Sequence, residues 1–141
     1  MPGRRPPTAY PVGVSRRLTV LALAADVVGL LVFAAIGRAG HDEAVSALGV
    51  LGTAAPFAIG LAAAWATPWV RARPASLPAG AVVLAGTAVI GLAVRAAVTG
   101  RLPLTFVIVS VCALGVLLVG WRAVALLVAR LAVRRAGRPV G

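Results

Sequence analysis

Residues 18–37 read LTVLALAADVVGLLVFAAIG, a run whose only charged side chain is Asp26. About 20 apolar helical residues cross the roughly 30 Å of hydrocarbon in a bilayer, so this stretch has the length and composition of a membrane span. A charge at the centre of such a helix costs about 2.5 to 3.5 kcal/mol to insert, which makes Asp26 a position to explain. Three more runs of the same kind follow at residues 44–67, 79–99 and 103–129. The third holds Arg95 and the fourth holds Arg122. Backbone groups in lipid must be satisfied within the segment, and the runs show no strict alternation of lumen-facing and lipid-facing residues, so helices are expected and not a β-barrel. The architecture expected is all-α, an integral membrane four-helix up-down bundle over residues 18–129. A disordered tail is expected at 1–17, where Pro2, Pro6, Pro7 and Pro11 fall, and a basic tail at 130–141.

Composition carries the same message: 61% of the residues are hydrophobic and 12% charged, which leaves too little polar surface to cover a soluble domain. The formal net charge is +11 and every one of the 14 Lys+Arg residues is arginine. Because these are spread over tails and short loops and not gathered on one face, no nucleic-acid partner is expected. One cysteine, Cys112, excludes an intramolecular disulfide framework. Its place inside the fourth apolar run reads as core packing. Ser15, Arg16, Arg17 and Leu18 ahead of an apolar run look like an export signal, but the run is long for one, contains Asp26 and is followed by three further spans.

Short cytoplasmic loops carry the arginine excess. Arg4, Arg5, Arg16 and Arg17 precede the first run, Arg71 and Arg73 fill the second connection, and Arg130, Arg134, Arg135 and Arg138 follow the fourth; Arg38 and Arg101 occupy the other side. The inner (plasma) membrane is the expected location, with both termini cytoplasmic. Trp65 and Trp69 then fall at the inner interface, where aromatic belts sit, and the arginines after residue 129 lie against anionic lipid headgroups.

Depth decides which charges can meet. At about 1.5 Å per residue, Asp26 and Arg122 each lie roughly 10 to 12 Å from the cytoplasmic ends of the first and last spans. These helices are antiparallel neighbours in an up-down bundle, so an intramembrane pair Asp26–Arg122 is expected. Arg95 is four residues from the outer end of the third run and can snorkel to that interface, or reach Asp42 and Glu43. With Arg38 and His41 these make an outer charged set. Asp42 and Glu43 read as carboxylates in the first turn of the second helix. Without a second histidine or an available cysteine, no metal site is expected. No catalytic constellation is visible either: Thr53, Thr87, Ser110 and Cys112 have no histidine in the same span. Pro56 is expected to kink the second helix. Gly29, Phe33 and Gly37 continue the Asp26 face, and Gly49, Gly52, Gly60, Ala64, Gly86 and Gly91 read as close helix packing.

Phe33, Ala34, Ala35, Ile36, Gly37 and Arg38, followed by His41 and Glu43, then Thr53, Pro56, Phe57 and Gly60, and finally Gly120, Trp121 and Arg122, resemble the domain-of-unknown-function 3054 family. Asp26 and Arg95 match its pattern as well, and the resemblance covers roughly residues 20–125. It implies a four-helix bacterial membrane protein and no particular reaction. The expected function is therefore that of a multi-pass membrane protein without enzymatic activity or cofactor, acting as a structural or accessory component, as a homo-oligomer or beside a membrane partner. The alternative is a small oligomeric transporter or flippase using Asp26. An acid in the first of four spans also occurs in the small multidrug-resistance transporters, but an arginine at the same depth would hold it ionised and blunt proton exchange.

Overall fold

The computed structural model of the chain describes residues 12–40 and 46–137. His41, Asp42, Glu43, Arg138 and the first eleven residues of the expected tail lie outside the described residues. What is described is helical, without strands. The elements are α1 (Val12–Ala39), α2 (Ala47–Ala66), a short α3 (Pro68–Ala72), α4 (Leu77–Thr99), α5 (Leu104–Leu114), a π-helical turn (Gly115–Val119) and α6 (Gly120–Ala136). Four helical stretches, Arg16–Ala39, Ala47–Ala66, Leu77–Thr99 and the continuous Leu104–Ala136, are long and apolar enough to cross a membrane.

Three boundaries differ from expectation, each for a local reason. The first helix begins at Val12, just after Pro11, six residues inside the expected tail; nothing from Val12 to Arg17 forbids a helical turn. The second begins at Ala47, where the Ser46 hydroxyl accepts the Gly49 backbone N–H at 3.1 Å, the usual N-cap geometry. Its first turn therefore holds no acid, contrary to the placement of Asp42 and Glu43 there. The last helix continues to Ala136, so Arg130, Arg134 and Arg135 extend a helix and are not tail. At about 1.5 Å per residue the 33-residue stretch Leu104–Ala136 is some 50 Å long, well beyond the hydrocarbon thickness, and its arginine-bearing end stands clear. Pro56 lies inside an unbroken α2.

Each helix buries one stripe. In α1 it is Ala22, Asp26, Gly29, Leu30, Phe33 and Ala34; in α2, Ala54, Phe57, Gly60, Leu61, Ala64 and Trp65; in α4, Ala79, Gly80, Val83, Thr87, Ala88, Gly91 and Leu92. These are the three- and four-residue spacings of one helix face. The remaining faces are just as apolar and stay exposed: Leu48, Val98 and Val133 are 82%, 77% and 73% accessible. Water would not tolerate that surface; lipid would.

Neighbouring helices run antiparallel, as their contacts record. Asp26 meets Trp65 while Phe33 meets Phe57; Gly60 lies on Gly86 while Phe57 lies on Gly91; Gly80 faces Arg122 while Arg95 faces Phe106; Asp26 bonds Arg122 while Gly29 faces Leu118. The closest pair is α2 with α4. A Cβ on Gly60 would stand 2.9 Å from Thr87 Cα and closer still to the Gly86 carbonyl, so the two backbones touch where only glycine fits. Without a hydrophobic force between helices in lipid, such close packing is a principal source of association. Gly37, placed on the Asp26 face by sequence, and Gly52, placed with the packing glycines, both face open space: a Cβ at either position would meet nothing within 4 Å.

Candidate functional site

Asp26 lies one turn below Gly29 on the buried stripe of α1, and both Asp26 and Arg122 have no accessible surface. The Arg122 guanidinium grips the carboxylate with two parallel bonds, Nη1 to Oδ1 at 2.7 Å and Nη2 to Oδ2 at 2.8 Å. That fork geometry gives the strongest class of side-chain hydrogen bond. Two indoles complete the shell: Trp65 Nε1 donates to Oδ2 at 3.0 Å and Trp121 Nε1 to Oδ1 at 2.9 Å. A carboxylate offers about four lone-pair positions, and four donors fill them.

Arg122 is equally well held. Its Nε donates to the Pro74 carbonyl at 2.9 Å, and Nη1 also donates to the Leu118 carbonyl. The guanidinium carbon stacks 4.4 Å over the Trp121 ring, a cation–π contact strengthened by desolvation. Gly80 gives it room, for a Cβ there would stand 2.7 Å from Arg122 Cδ. The centre thus joins α1, α2, the connection before α4, α4 itself and the last helix.

The π turn explains how the last helix presents Arg122 inward. Its buried residues are Ser110, Leu114, Leu118 and Arg122, spaced by four. In a regular helix of 3.6 residues per turn, such a stripe drifts about 40° per step. A π turn, closed by i→i+5 bonds, takes up the extra residue, and Gly115–Val119 places it between Leu114 and Arg122. The stripe then stays on the bundle.

The structure brings Asp26 and Arg122 together and leaves Arg95 elsewhere. Arg95 is half-buried near the far end of α4, with its guanidinium carbon 4.3 Å from the Phe106 ring centroid. Arg38 lies against α2, its guanidinium beside Gly49. Cys112 is exposed on the helix surface, which corrects its assignment to the core: with inward positions at 110 and 114, residue 112 points to lipid. No group of three or more potential metal ligands occurs among the described residues. The Thr87 and Ser110 hydroxyls are buried without a hydrogen-bond partner.

Sequence reasoning missed Trp65, Trp121, the Pro74 carbonyl and Gly80. Trp65 reads as an interface anchor by its place near a span end, yet its indole points inward and it is 7% exposed, whereas Trp69, four residues on, is 66% exposed and sits outward. Trp121 could have been found by depth, since it adjoins Arg122.

Comparison with known families places the chain in one of them. The model of the family described as protein of unknown function (DUF3054) matches residues 23–125. The chain belongs to that family. In this DUF3054 member the matched region contains all four side chains of the polar centre, Asp26, Trp65, Trp121 and Arg122, together with Pro74 and Gly80. No curated protein and no solved structure matches the chain.

Proposed function

We propose that this DUF3054 member is a non-enzymatic component of the cell's inner membrane, an up-down bundle with both termini in the cytoplasm, in which Asp26 and Arg122 latch the first and last spans together. The observation that carries this reading is the saturation of Asp26: both oxygens are inaccessible and accept two donors each. A proton-coupled carrier needs an acid that can meet water and exchange its partners. Here the guanidinium would have to withdraw from two carboxylate oxygens and two carbonyls at once, with no acceptor in hydrocarbon to receive it. The cytoplasmic orientation rests on arginines 16, 17, 71, 73, 130, 134 and 135, which gather at one end of the helices. The protein would then act as a structural or accessory subunit, through its lipid-facing helices or as a homo-oligomer, with no cofactor.

Reconstituted vesicles give the test. In the latch reading, Asp26→Asn lowers the temperature at which the bundle unfolds in detergent, and vesicles bearing wild-type protein show no flux of protons or organic cations above empty ones. A proton-coupled flux in the wild type, abolished by Asp26→Asn while the melting temperature stays unchanged, would establish the transporter instead.

A further inference from the structure

The connection between α2 and α4 is held from both sides. Its Val70 side chain is fully buried, the Pro74 carbonyl is bonded by Arg122, and Ser76 both donates to the Arg73 carbonyl at 2.8 Å and caps α4 at the Ala79 N–H. A connection fixed this way has a fixed outer surface. On that surface a cavity of about 360 Å³ opens between three elements, lined by Leu18 and Thr19 of α1, Arg71, Arg73 and Pro74 of the connection, and Leu126 of α6. A second cavity of about 540 Å³, bordered by the exposed Trp69, adjoins it and shares Ala72, Arg73 and Ser76 with it. Arg16 and Arg17 stand within one turn of Leu18, and Arg130 one turn beyond Leu126.

Two properties decide the occupant. The lining combines leucine and proline with two exposed arginines, so the complementary molecule has an anionic head and an apolar tail. The cationic rim also lacks a protein counter-ion: the only side-chain carboxylate among the described residues is Asp26, whose oxygens are all engaged. Arg71 spends one donor on the Ala66 carbonyl at 3.0 Å and, with five donors in a guanidinium, keeps others for a ligand. We propose that this cavity is a binding site for one anionic phospholipid, its headgroup phosphate held by Arg71 and Arg73 and an acyl chain lying along Leu18 and Leu126. Two arginines beside an anionic lipid surface each contribute appreciably to binding, and a built cleft adds selectivity that a bare basic tail lacks. The assignment goes beyond the latch and needs only that the chain spans a bilayer.

Full-length protein in nanodiscs tests it, using a minor fraction of brominated lipid and the fluorescence of Trp69, isolated as the difference between wild type and W69F. Brominated anionic phospholipid is expected to quench Trp69 about tenfold more effectively than brominated phosphatidylcholine. R71Q/R73Q and the cavity-filling L126F are each expected to remove most of that preference. R134Q/R135Q, which deletes equal charge away from the cavity, should keep it. Circular dichroism and gel filtration verify that each variant is folded, and R71Q/R73Q, which alters exposed side chains only, guards against L126F failing to fold. Equal quenching by the two lipids, or an equal loss in R71Q/R73Q and R134Q/R135Q, would overturn the site in favour of diffuse surface attraction. Displacement of the lipid by inorganic phosphate would overturn the lipid assignment in favour of a free-anion site.

Discussion

The two ends of the bundle are held by opposite means. At the end near the α2–α4 connection, four polar side chains, Asp26, Trp65, Trp121 and Arg122, fill the centre and every acceptor of the carboxylate is engaged. Toward the other end the same four helices meet through rings and glycine: Phe33 packs edge-on against Phe57 with centroids 5.0 Å apart, and Phe57 fills the space that Gly91 leaves open. Arg95, the arginine of that end, stacks on Phe106 at the periphery and is not tied to an acid among the described residues. The contrast teaches that burial, more than residue type, decides what an arginine in an apolar helix does. Arg122 is fully buried, so its charge is satisfied inside the bundle, by Asp26 and by the Pro74 and Leu118 carbonyls. Arg95, about 6 Å from the end of its helix, is half-buried and lays its guanidinium on the Phe106 ring.

The largest effect should come from breaking the polar end. R122A leaves the Asp26 carboxylate buried with two donors in place of four, and the loss expected for breaking a buried pair is about 3 to 5 kcal/mol, measurable as denaturant-induced unfolding in micelles. F57A, at the ring end, removes a fully buried side chain and opens a void beside Gly91; the expected loss is about 2 to 3 kcal/mol, at or below the low end of the range for buried phenylalanine, because lipid is as apolar a reference as the core. Next come W65F and W121F, each deleting one indole donor to Asp26, with an expected loss of about 1 to 2 kcal/mol in thermal melts. These two should lose their effect in a background already lacking Asp26. R95Q, at the periphery, is expected to change stability by less than about 1 kcal/mol. If R95Q proved as damaging as R122A, the contrast between the two ends would fail.

Much of this was legible in the sequence, and the reasons are specific. The four spans follow from run length, because a bilayer of fixed thickness sets a fixed count of apolar residues. Asp26 opposite Arg122 follows from the rise per residue, because helices in a bilayer share one depth scale. The remaining features depend on rotation and not on depth. Nothing in Gly115–Val119 announces a π turn, which costs or gains one hydrogen bond in a segment whose composition is the same as its neighbours. Trp65 and Trp69 sit four residues apart near the same span end, yet one points inward and the other outward, because α2 ends at Ala66 and the chain reorients before α3. Apolar residues surround all four helices, so the hydropathy pattern that marks the buried face of a soluble helix is missing. The small and polar positions carry that information instead: Asp26, Gly60, Gly80, Gly86 and Gly91 all face the bundle interior, while Gly37 and Gly52 show that a glycine alone does not decide the face.

The central claim is that Asp26 and Arg122 act together as a closed latch. A double-mutant cycle with D26L and R122M, performed in the W65F/W121F background so that no indole N–H is left without an acceptor, tests it most directly. Each single change should destabilise the bundle by about 3 to 5 kcal/mol, because it strands one charge in the interior, while the double change should restore most of the loss, giving a coupling of several kcal/mol. Additive losses, with the double variant as unstable as the sum of the two, would contradict the latch.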